Sequence, residues 1–408
     1  MDIAKFESGG APGEIVNFEG YKAFNPDPLP PDLRMTNELA MAHADALQAV
    51  SELKGVGRNV ENPHMLIRPF IRKEAVLSSR IEGTRADLED VYALEAGQEN
   101  TIKQPRRSDA REVINYVWAT EHGLSELTST PLNLGLIKEL HGILMQDVRG
   151  DEKTPGEFRD GQNYIGEPGD DLEDARYVPP PAHHATMAIK QLSNYIEGVW
   201  QFPPLIDLGM IHYQFETVHP FWDGNGRIGR LLVTLLLCDR GLLNEPFLYI
   251  SAFFNRHRSE YIDRLYDVSA ENAWEAWLLF FLEAVETQAN EAYIRSKEML
   301  TLQEQYREMY RSKKSKTHLQ LVDYLFSKPE ITVNDVQEEL DVSYPAANAT
   351  VSQLVEDGIL TEITGKKRNR RFRATEIFDI LREPIDNIEL RSEESKKYRQ
   401  ANLNEFER

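Results

Sequence analysis

The chain has 408 residues, of which 41% are hydrophobic, and its formal net charge is −21. This length predicts two or three domains with ordinary cores. The acidic balance argues against a globally basic nucleic-acid binder, although it permits a local basic patch. No apolar run is long enough to cross a membrane, no basic-then-apolar leader opens the sequence, and the single cysteine, Cys238, can form no intrachain disulfide. We therefore expect a cytoplasmic protein with no membrane partner.

The first part of the chain changes from turn-rich to helical. Residues 1–35 are rich in Gly, Pro and Asn, which predicts an extended surface segment, and helical spacing of apolar residues begins after it. In the stretch RKEAVLSSRIEG at residues 72–83, Ser78 and Glu82 are one helical turn apart, and Gly83 is placed to end the helix. Taken alone, this pattern is typical of a surface helix with an exposed glutamate.

Two more amphipathic helices are predicted between residues 109 and 145, where Asn133 is a start signal for the second. Residues 150–181 then lose the helical period and become rich in Gly, Pro and Asp. Two β-like pieces, at 162–165 and 176–178, flank an acidic segment, so we interpret this region as a hairpin with a long acidic tip. An ordinary loop is the plainer alternative.

Residues 219–230 read HPFWDGNGRIGR and lie between two apolar segments with helical character, 205–218 and 228–237. The motif is therefore predicted to be a loop between two core helices. Its Gly-Asn-Gly sequence, residues 224–226, can turn successive N–H groups towards one point at the start of the second helix. A helix N-terminus with free N–H groups binds anions.

The side chains of this loop suit phosphate chemistry. Arg227 and Arg230 are three residues apart, and a guanidinium matches phosphate oxygens in a bidentate contact. Asp223 offers the hard oxygen ligand that holds Mg²⁺ against phosphates. His219 can take a proton near neutral pH. Each residue alone would be ordinary, but together they predict a catalytic phosphate site.

A second unit is predicted at residues 317–380, followed by a polar tail at 381–408. Its pattern is helix (319–326), helix (333–340, capped by Thr332), turn, helix (346–356) and a β-ribbon, and this order resembles a winged helix. The ribbon carries basic residues at 366, 367, 368, 370, 371 and 373. Two alternatives stay open: DNA binding, with Asn348 and Gln353 of the third helix facing bases and the basic wing along phosphates, and a protein-docking or dimerisation module.

Residues 219–230 match the Fic family pattern HxFx[D/E]GNGRxxR at every fixed position. The resemblance implies transfer of AMP from ATP to a protein hydroxyl, with Mg²⁺ as cofactor. It implies that His219 is the base that takes the proton of the target hydroxyl and that Asp223 holds the metal ion. The phosphates of ATP would lie against Gly224, Asn225 and Gly226, with the outer ones bound by Arg227 and Arg230. Tyr261 would form a wall of the adenine pocket. The family often has two tyrosines at this position, and here Ile262 replaces the second.

Two further stretches resemble family features. Residues 78–83 match the inhibitory pattern [S/T]xxxE[G/N], which implies that Ser78, Glu82 and Gly83 belong to an inhibitory helix and that Glu82 pairs with Arg230. The hairpin resembles the Fic flap, which pairs with the backbone of a target as an added strand. This implies a target-docking role for Gln162, Asn163, Tyr164, Ile165 and Gly166.

The sequence thus predicts a mostly α protein: a Fic-fold helical core with a β-hairpin flap, plus a C-terminal winged helix-turn-helix. We place the N-terminal helical region with its inhibitory helix at 36–110 and the catalytic core at 111–300. The expected activity is transfer of AMP to Ser, Thr or Tyr hydroxyls of a target protein or of the chain itself. The alternatives are hydrolytic removal of AMP with Glu82 positioning a water, another phosphate donor, and a DNA-binding regulator whose core only senses nucleotide. A homodimer is left open.

Overall fold

The computed structural model describes residues 1–8, 10–58, 64–150, 152–166, 169–311, 315–366 and 369–382. The described residues are mostly α-helical, as predicted, and their few strands are short. Within this part of the chain, no helix combines the length and the apolarity that crossing a membrane requires.

The expectation that residues 1–35 run extended over the surface is wrong. The segment contains a helix and a paired hairpin: α1 (Ile3–Ser8), β1 (Gly13–Phe18) and β2 (Tyr21–Pro26). Glu19 and Gly20 form the two-residue turn, both with positive φ, as the tight hairpin turn requires. Phe24 is fully buried against Phe6 and Tyr177, so the glycines and prolines mark turns between short packed elements.

The helices before the motif surround it on several sides. They are α2 (Asn37–Arg58), α3 (His64–Ile81), α4 (Leu88–Glu95), α5 (Arg106–Glu126), α6 (Leu134–Leu144) and α7 (Ala182–Glu197), with a 3₁₀ turn at Glu99–Thr101. Asn133 caps α6 by accepting from the N–H of Leu136, which confirms the predicted start. The helix α3 ends just before Glu82, and Gly83 follows with φ +96°, which confirms the predicted stop.

The motif and the centre of the core come next. The helices are α8 (Pro204–Val218), α9 (Asn225–Asp239), α10 (Ser251–Arg256), α11 (Arg258–Glu271) and α12 (Trp274–Arg311). Every residue of α8 from Leu205 onwards is buried, because this helix is covered on all sides, including by α9, α12 and α7. The long helix α12 runs beside α2 and α8 and continues past the predicted boundary at 300.

The winged helix forms as predicted. Its elements are α13 (Lys316–Ser327), β3 (Glu330–Ile331), α14 (Val333–Leu340), α15 (Tyr344–Glu356), β4 (Thr361–Glu362), β5 (Phe372–Arg373) and α16 (Thr375–Arg382). Thr332 caps α14 in a reciprocal pair with Asp335. The strand β3 completes a sheet in the order β3-β5-β4. The strand β3 and the helix α16 were not predicted from the sequence. Beyond residue 382, the polar tail predicted at 381–408 lies outside the described residues.

The winged helix packs against the N-terminal helices. Tyr92 of α4 contacts Phe378 of α16 with ring centroids 6.0 Å apart. Nη1 of Arg382 lies 2.7 Å from Oε1 of Glu89, and the side-chain amide of Gln98 donates to a backbone carbonyl in the wing. The helix α13 also packs along α3, so the winged helix touches the helix that carries the predicted inhibitory residues.

Candidate active site

The motif is a tight loop between α8 and α9, as predicted. His219 ends α8 in the left-handed conformation (φ 48°), and Gly224 precedes α9 with φ 75°. The side-chain amide of Asn225 holds the loop closed: its Oδ1 accepts from the N–H of Phe221 and its Nδ2 donates to the carbonyl of the same residue, both at 2.8 Å. The side chain of Asn225 therefore fixes the conformation of the loop, and its backbone N–H belongs to the first turn of α9.

The start of α9 presents backbone N–H groups. The first bond within this helix runs from the N–H of Ile228 to the carbonyl of Gly224, so the amides of residues 225–227 have no carbonyl partner inside the helix. These amides and the helix dipole favour a negatively charged group at this end. The geometry agrees with the phosphate cradle that the sequence predicts.

The His219 ring is held in one orientation by a backbone carbonyl. Its Nδ1 lies 3.1 Å from the carbonyl oxygen of Glu216, and because a carbonyl can only accept, Nδ1 carries the proton and Nε2 is left as the acceptor. Burial lowers the pKa of His219 to about 4, so the ring is neutral at physiological pH. The carbonyl of His219 accepts from Nε of Arg159 at 2.9 Å and from the amide of Asn163, which fixes the residue from the flap side.

Arg230 is held by the segment that the sequence analysis identified as inhibitory. Its Nη2 donates to Oε1 of Glu82 at 2.6 Å, its Nε donates to the hydroxyl of Ser78 at 2.9 Å, and Nη2 also reaches the carbonyl of Ser78 at 3.1 Å. Burial would raise the pKa of Glu82, but Arg230 outweighs it and the pKa is lowered. The two side chains therefore form an ion pair at neutral pH, as the resemblance implies.

Arg227 and Arg230 point to different partners. The buried guanidinium of Arg227 donates to Oε2 of Glu112 on α5 at 3.1 Å, and it lies 3.6 Å from Oδ1 of Asp223. Nothing in the sequence around Glu112 distinguishes it from other helical glutamates, so its contact with the motif was not predicted. The role of both arginines towards outer phosphates stays a prediction.

Asp223 fits the role of a single metal ligand. Its Oδ1 accepts from the N–H of Gly224 at 2.6 Å, and its side chain is partly exposed beside the start of α9. Among the described residues there is no group of three or more His, Cys, Asp or Glu that could form a metal site by itself. This donor set suits Mg²⁺, which is commonly held by one carboxylate together with phosphate oxygens and water.

The flap is tied to the catalytic loop more closely than the sequence suggests. Its two arms meet in a single bridge between Ile165 and Tyr177, and residues 167–168 of the predicted acidic tip lie outside the described residues. Asn163, expected to dock a target, instead turns inwards and donates to the carbonyl of Phe221 at 2.9 Å. Gln162 likewise bonds to the carbonyl of Pro179.

The outer part of the flap is open. The side chain of Tyr164 is 42% exposed, and its hydroxyl donates to the carbonyl of Asp170. Gly166 lies so close to this turn that a Cβ there would be 2.6 Å from a carboxylate oxygen of Asp170. Ile165 already uses its N–H and its carbonyl in the bridge to Tyr177, so pairing of a target with the flap would fall to its neighbours Tyr164 and Gly166 and stays a prediction.

Tyr261 lies in the core and not at an open pocket. It is 3% exposed and stacks on Phe254 with ring centroids 4.3 Å apart. Because Nδ1 of His212 donates to the carbonyl of Gly229, the Tyr261 hydroxyl donates to Nε2 of His212, at 2.8 Å. The structure therefore gives no geometric support to the prediction that Tyr261 walls an adenine pocket.

Comparisons with known proteins agree with this architecture. Residues 40–125 match the family model described as Fic/DOC family N-terminal, residues 131–237 match the model described as Fic/DOC family, and residues 314–361 match the model described as winged helix-turn-helix DNA-binding. The matched segments identify Fic/DOC family domains in this chain. The chain carries these domains together with a C-terminal winged helix-turn-helix.

Relatives with curated names match part of the chain. The chain is 34% identical over 91 residues to a probable protein adenylyltransferase of Aquifex aeolicus, which is 22% of this chain and 26% of the relative. It is 30% identical over 152 residues to the protein adenylyltransferase Fic of Aedes aegypti, 37% of this chain and 27% of the relative. The chain thus spans about a quarter of the length of these relatives.

A solved structure extends the likeness to most of the chain. A Fic family protein from Desulfovibrio desulfuricans G20 aligns with a TM-score of 0.55 over 85% of this chain and 98% of that protein. The sequence identity is 20%, so the comparison establishes the shared fold alone.

Proposed function

We propose that this protein transfers AMP from ATP to hydroxyl groups of a protein target, and that Glu82 holds it in a resting state. The observation that carries the proposal is the place of His219, whose Nε2 is left as an acceptor, in the same tight loop as the backbone amides at the start of α9. An anion-binding helix end next to an available proton acceptor suits transfer of a phosphoryl-type group. The names of the curated relatives, protein adenylyltransferases, point the same way.

The proposed reaction uses the site as follows. The target oxygen forms a bond to the α-phosphorus of ATP, the bond from that phosphorus to the bridging oxygen breaks, and pyrophosphate leaves. Nε2 of His219 takes the proton of the target hydroxyl, and the amides of residues 225–227 stabilise the phosphate charge. Asp223 would hold Mg²⁺, which when bound neutralises phosphate charge. Tyr164 and its neighbours in the flap would pair with the target backbone.

The resting state follows from the contacts of Arg230. While Glu82 occupies Nη2, this donor cannot bind an outer phosphate of ATP. The Glu82 side chain is 37% exposed, so it can turn into solvent without the unfolding of α3. The two hydrogen bonds that Arg230 donates to Ser78 do not depend on Glu82 and would keep the guanidinium in place.

The test uses ATP with its label on the α-phosphate or on the γ-phosphate. AMP transfer predicts that protein becomes labelled only from the α position, more strongly for Glu82→Gly than for the native chain. Label that arrives from the γ position would instead identify a phosphate-transferring enzyme, and label from neither would leave the nucleotide-sensing alternative.

Removal of AMP from a modified target is a second candidate, because the partly exposed Glu82 carboxylate reaches Arg230 at the start of α9, next to the loop that carries His219. A partly exposed carboxylate there would be able to position a water for attack. In this alternative, Glu82→Gly stops the release of AMP from a target that was modified beforehand. In the proposed transferase, the same change increases modification.

For the winged helix we propose docking within the chain in preference to DNA binding. Arg373 pairs with the buried Glu330 at 2.5 Å, Arg371 lies 3.8 Å from the same carboxylate, and Arg370 donates to Asn348, which the sequence offered as a base-reading residue. In the described part of the wing, Arg371 and Arg373 therefore face the same carboxylate, and Arg370 occupies the side chain of Asn348. Binding of the full chain to duplex DNA at low salt, with an affinity that falls steeply as salt is added, would contradict this proposal.

A further inference from the structure

Two glycines in the first turns of α9 each lie against a carboxylate. A Cβ at Gly226 would be 2.3 Å from Oε1 of Glu82, and a Cβ at Gly229 would be 2.2 Å from Oε1 of Glu216. No side chain fits at either distance, so the two glycines let two glutamates reach the helix that carries Arg230. Gly229 is not a fixed position of the family pattern, so the phosphate cradle does not account for its contact with Glu216.

Glu216 has no evident structural partner. Its residue is 9% exposed, and its buried Oε1 has no hydrogen-bond partner among the described residues. His219 uses only the backbone carbonyl of Glu216. The pKa of the Glu216 carboxyl is raised to about 7, mainly because the group is buried. The positive charge of Arg230 opposes this rise and the negative charge of Glu82 adds to it, so both side chains lie within electrostatic reach of Glu216. A buried carboxyl without a hydrogen bond is costly and calls for a functional explanation.

Arg230 needs a second counter-charge once Glu82 leaves. Its side chain is 1% exposed, so it cannot turn into solvent, and the two contacts from Ser78 are uncharged. A buried cation that loses its only carboxylate is strongly destabilised. Among the described residues, the buried Glu74 also lies within electrostatic reach of Arg230, but it already accepts hydrogen bonds from Ser251 and Tyr116. Glu216, which reaches α9 through the gap at Gly229, is the carboxylate in position to compensate.

We propose that Glu216 is a positioning residue, which holds the Arg230 guanidinium from the Gly229 side of α9 and keeps it aimed at the γ-phosphate of ATP when Glu82 is displaced. This rests on the proposed function, in which Arg230 binds an outer phosphate. It assigns to Glu216 a part of the discrimination between ATP and ADP, because ADP lacks the phosphate that a well-oriented Arg230 would bind.

The test measures the affinities for ATP and ADP by titration calorimetry. All variants carry Glu82→Gly, so that the ion pair between Glu82 and Arg230 is absent. Glu216→Gln keeps the shape of the side chain and removes its charge. We expect it to lower the preference for ATP over ADP by about tenfold, with the affinity for ADP unchanged. Gly229→Ala, which pushes the carboxyl aside, should have the same effect. Gly55→Ala, with nothing within 4 Å of the added Cβ, is the matched control.

The outcomes separate this inference from the proposed function. If Arg230→Ala removes the preference for ATP while Glu216→Gln and Gly229→Ala keep it, the role of Glu216 is overturned and the proposed function stands. If both nucleotides lose affinity equally in the Glu216 and Gly229 variants, the carboxyl is only structural and the inference is again overturned. If Arg230→Ala itself keeps the preference, the phosphate role of Arg230 fails, and the inference fails with it.

Discussion

Oε1 of Glu82 accepts a hydrogen bond from Nη2 of Arg230 at 2.6 Å, although 148 residues separate the two in the chain. The pair is asymmetric, because the Arg230 side chain is 1% exposed and that of Glu82 is 37% exposed. The arginine is fixed in the core and the carboxylate reaches solvent. Release of the pair should therefore occur by movement of Glu82.

This asymmetry predicts opposite effects for the two partners. Glu82→Gly frees a phosphate ligand and should raise AMP transfer by about tenfold or more, since an ion pair worth about 1.4 kcal/mol changes an equilibrium tenfold. Arg230→Ala removes the ligand together with the lock and should lower transfer, and the double variant should resemble Arg230→Ala. Initial rates of labelling from α-labelled ATP measure this. Arg80→Ala, an exposed change nearby on α3, is the control.

The assignment of His219 as the base predicts a separation of binding from catalysis. His219→Ala should lower transfer by about 10²–10⁴-fold in the Glu82→Gly background and leave the affinity for ATP unchanged, because the amides of α9 and Arg230 remain. Single-turnover rates and nucleotide titration measure the two quantities. A His219→Ala variant that labels its target at the parent rate would remove His219 from the mechanism.

The lowered pKa of His219 predicts the pH dependence of transfer. A base acts in its unprotonated form, which is present above its pKa, and burial lowers that pKa from 6.5 to about 4. Glu216, whose pKa is raised to about 7, would titrate in the same range, so the measurement uses Glu82→Gly together with Glu216→Gln. The rate of this variant should stay level from about pH 7.5 down to about pH 5.5, where an unperturbed histidine would have become protonated. A profile of kcat/KM against pH measures this, and an acid limb centred near the ordinary histidine pKa would contradict it.

The features that could be predicted from the sequence are those formed by residues close together in the chain. The motif loop, the end of α3 at Gly83 and the cap at Thr332 all depend on residues within one or two turns of each other, and all are confirmed. The pairing of Glu82 with Arg230 spans the whole domain, and it was predictable only because the family pattern joins the two stretches.

The missed contacts are those that only packing creates. Glu112 reaches Arg227 from α5, and Glu216 reaches Gly229 from α8, yet both occupy ordinary helical positions in the sequence. Tyr261 was placed at a pocket by analogy and lies in the core, because its ring stacks with other aromatic residues there. Periodicity shows which face of a helix is apolar, but it does not show which element will cover that face.

The docked winged helix predicts a stability effect at Glu330. This carboxylate is 1% exposed and pairs with Arg373, so Glu330→Gln leaves that cation with the more distant Glu89, at 3.9 Å, in place of its close partner. Removal of one member of a buried pair typically costs about 3 kcal/mol, and we expect a loss of this size in the free energy of unfolding by urea. Glu356→Gln, an exposed change in α15, should have little effect. Equal stabilities for the two variants would contradict the buried pairing.

The most direct test of the account measures the intact mass of the protein after incubation with ATP, Mg²⁺ and a candidate target, for three chains: native, Glu82→Gly, and Glu82→Gly with His219→Ala. If His219 is the base and Glu82 inhibits AMP transfer, the target or the chain itself should gain the mass of one AMP group. The gain should be strong for Glu82→Gly, weak for the native chain and absent for the double variant. Equal modification by the native and Glu82→Gly chains, or modification that survives the loss of His219, would contradict this account.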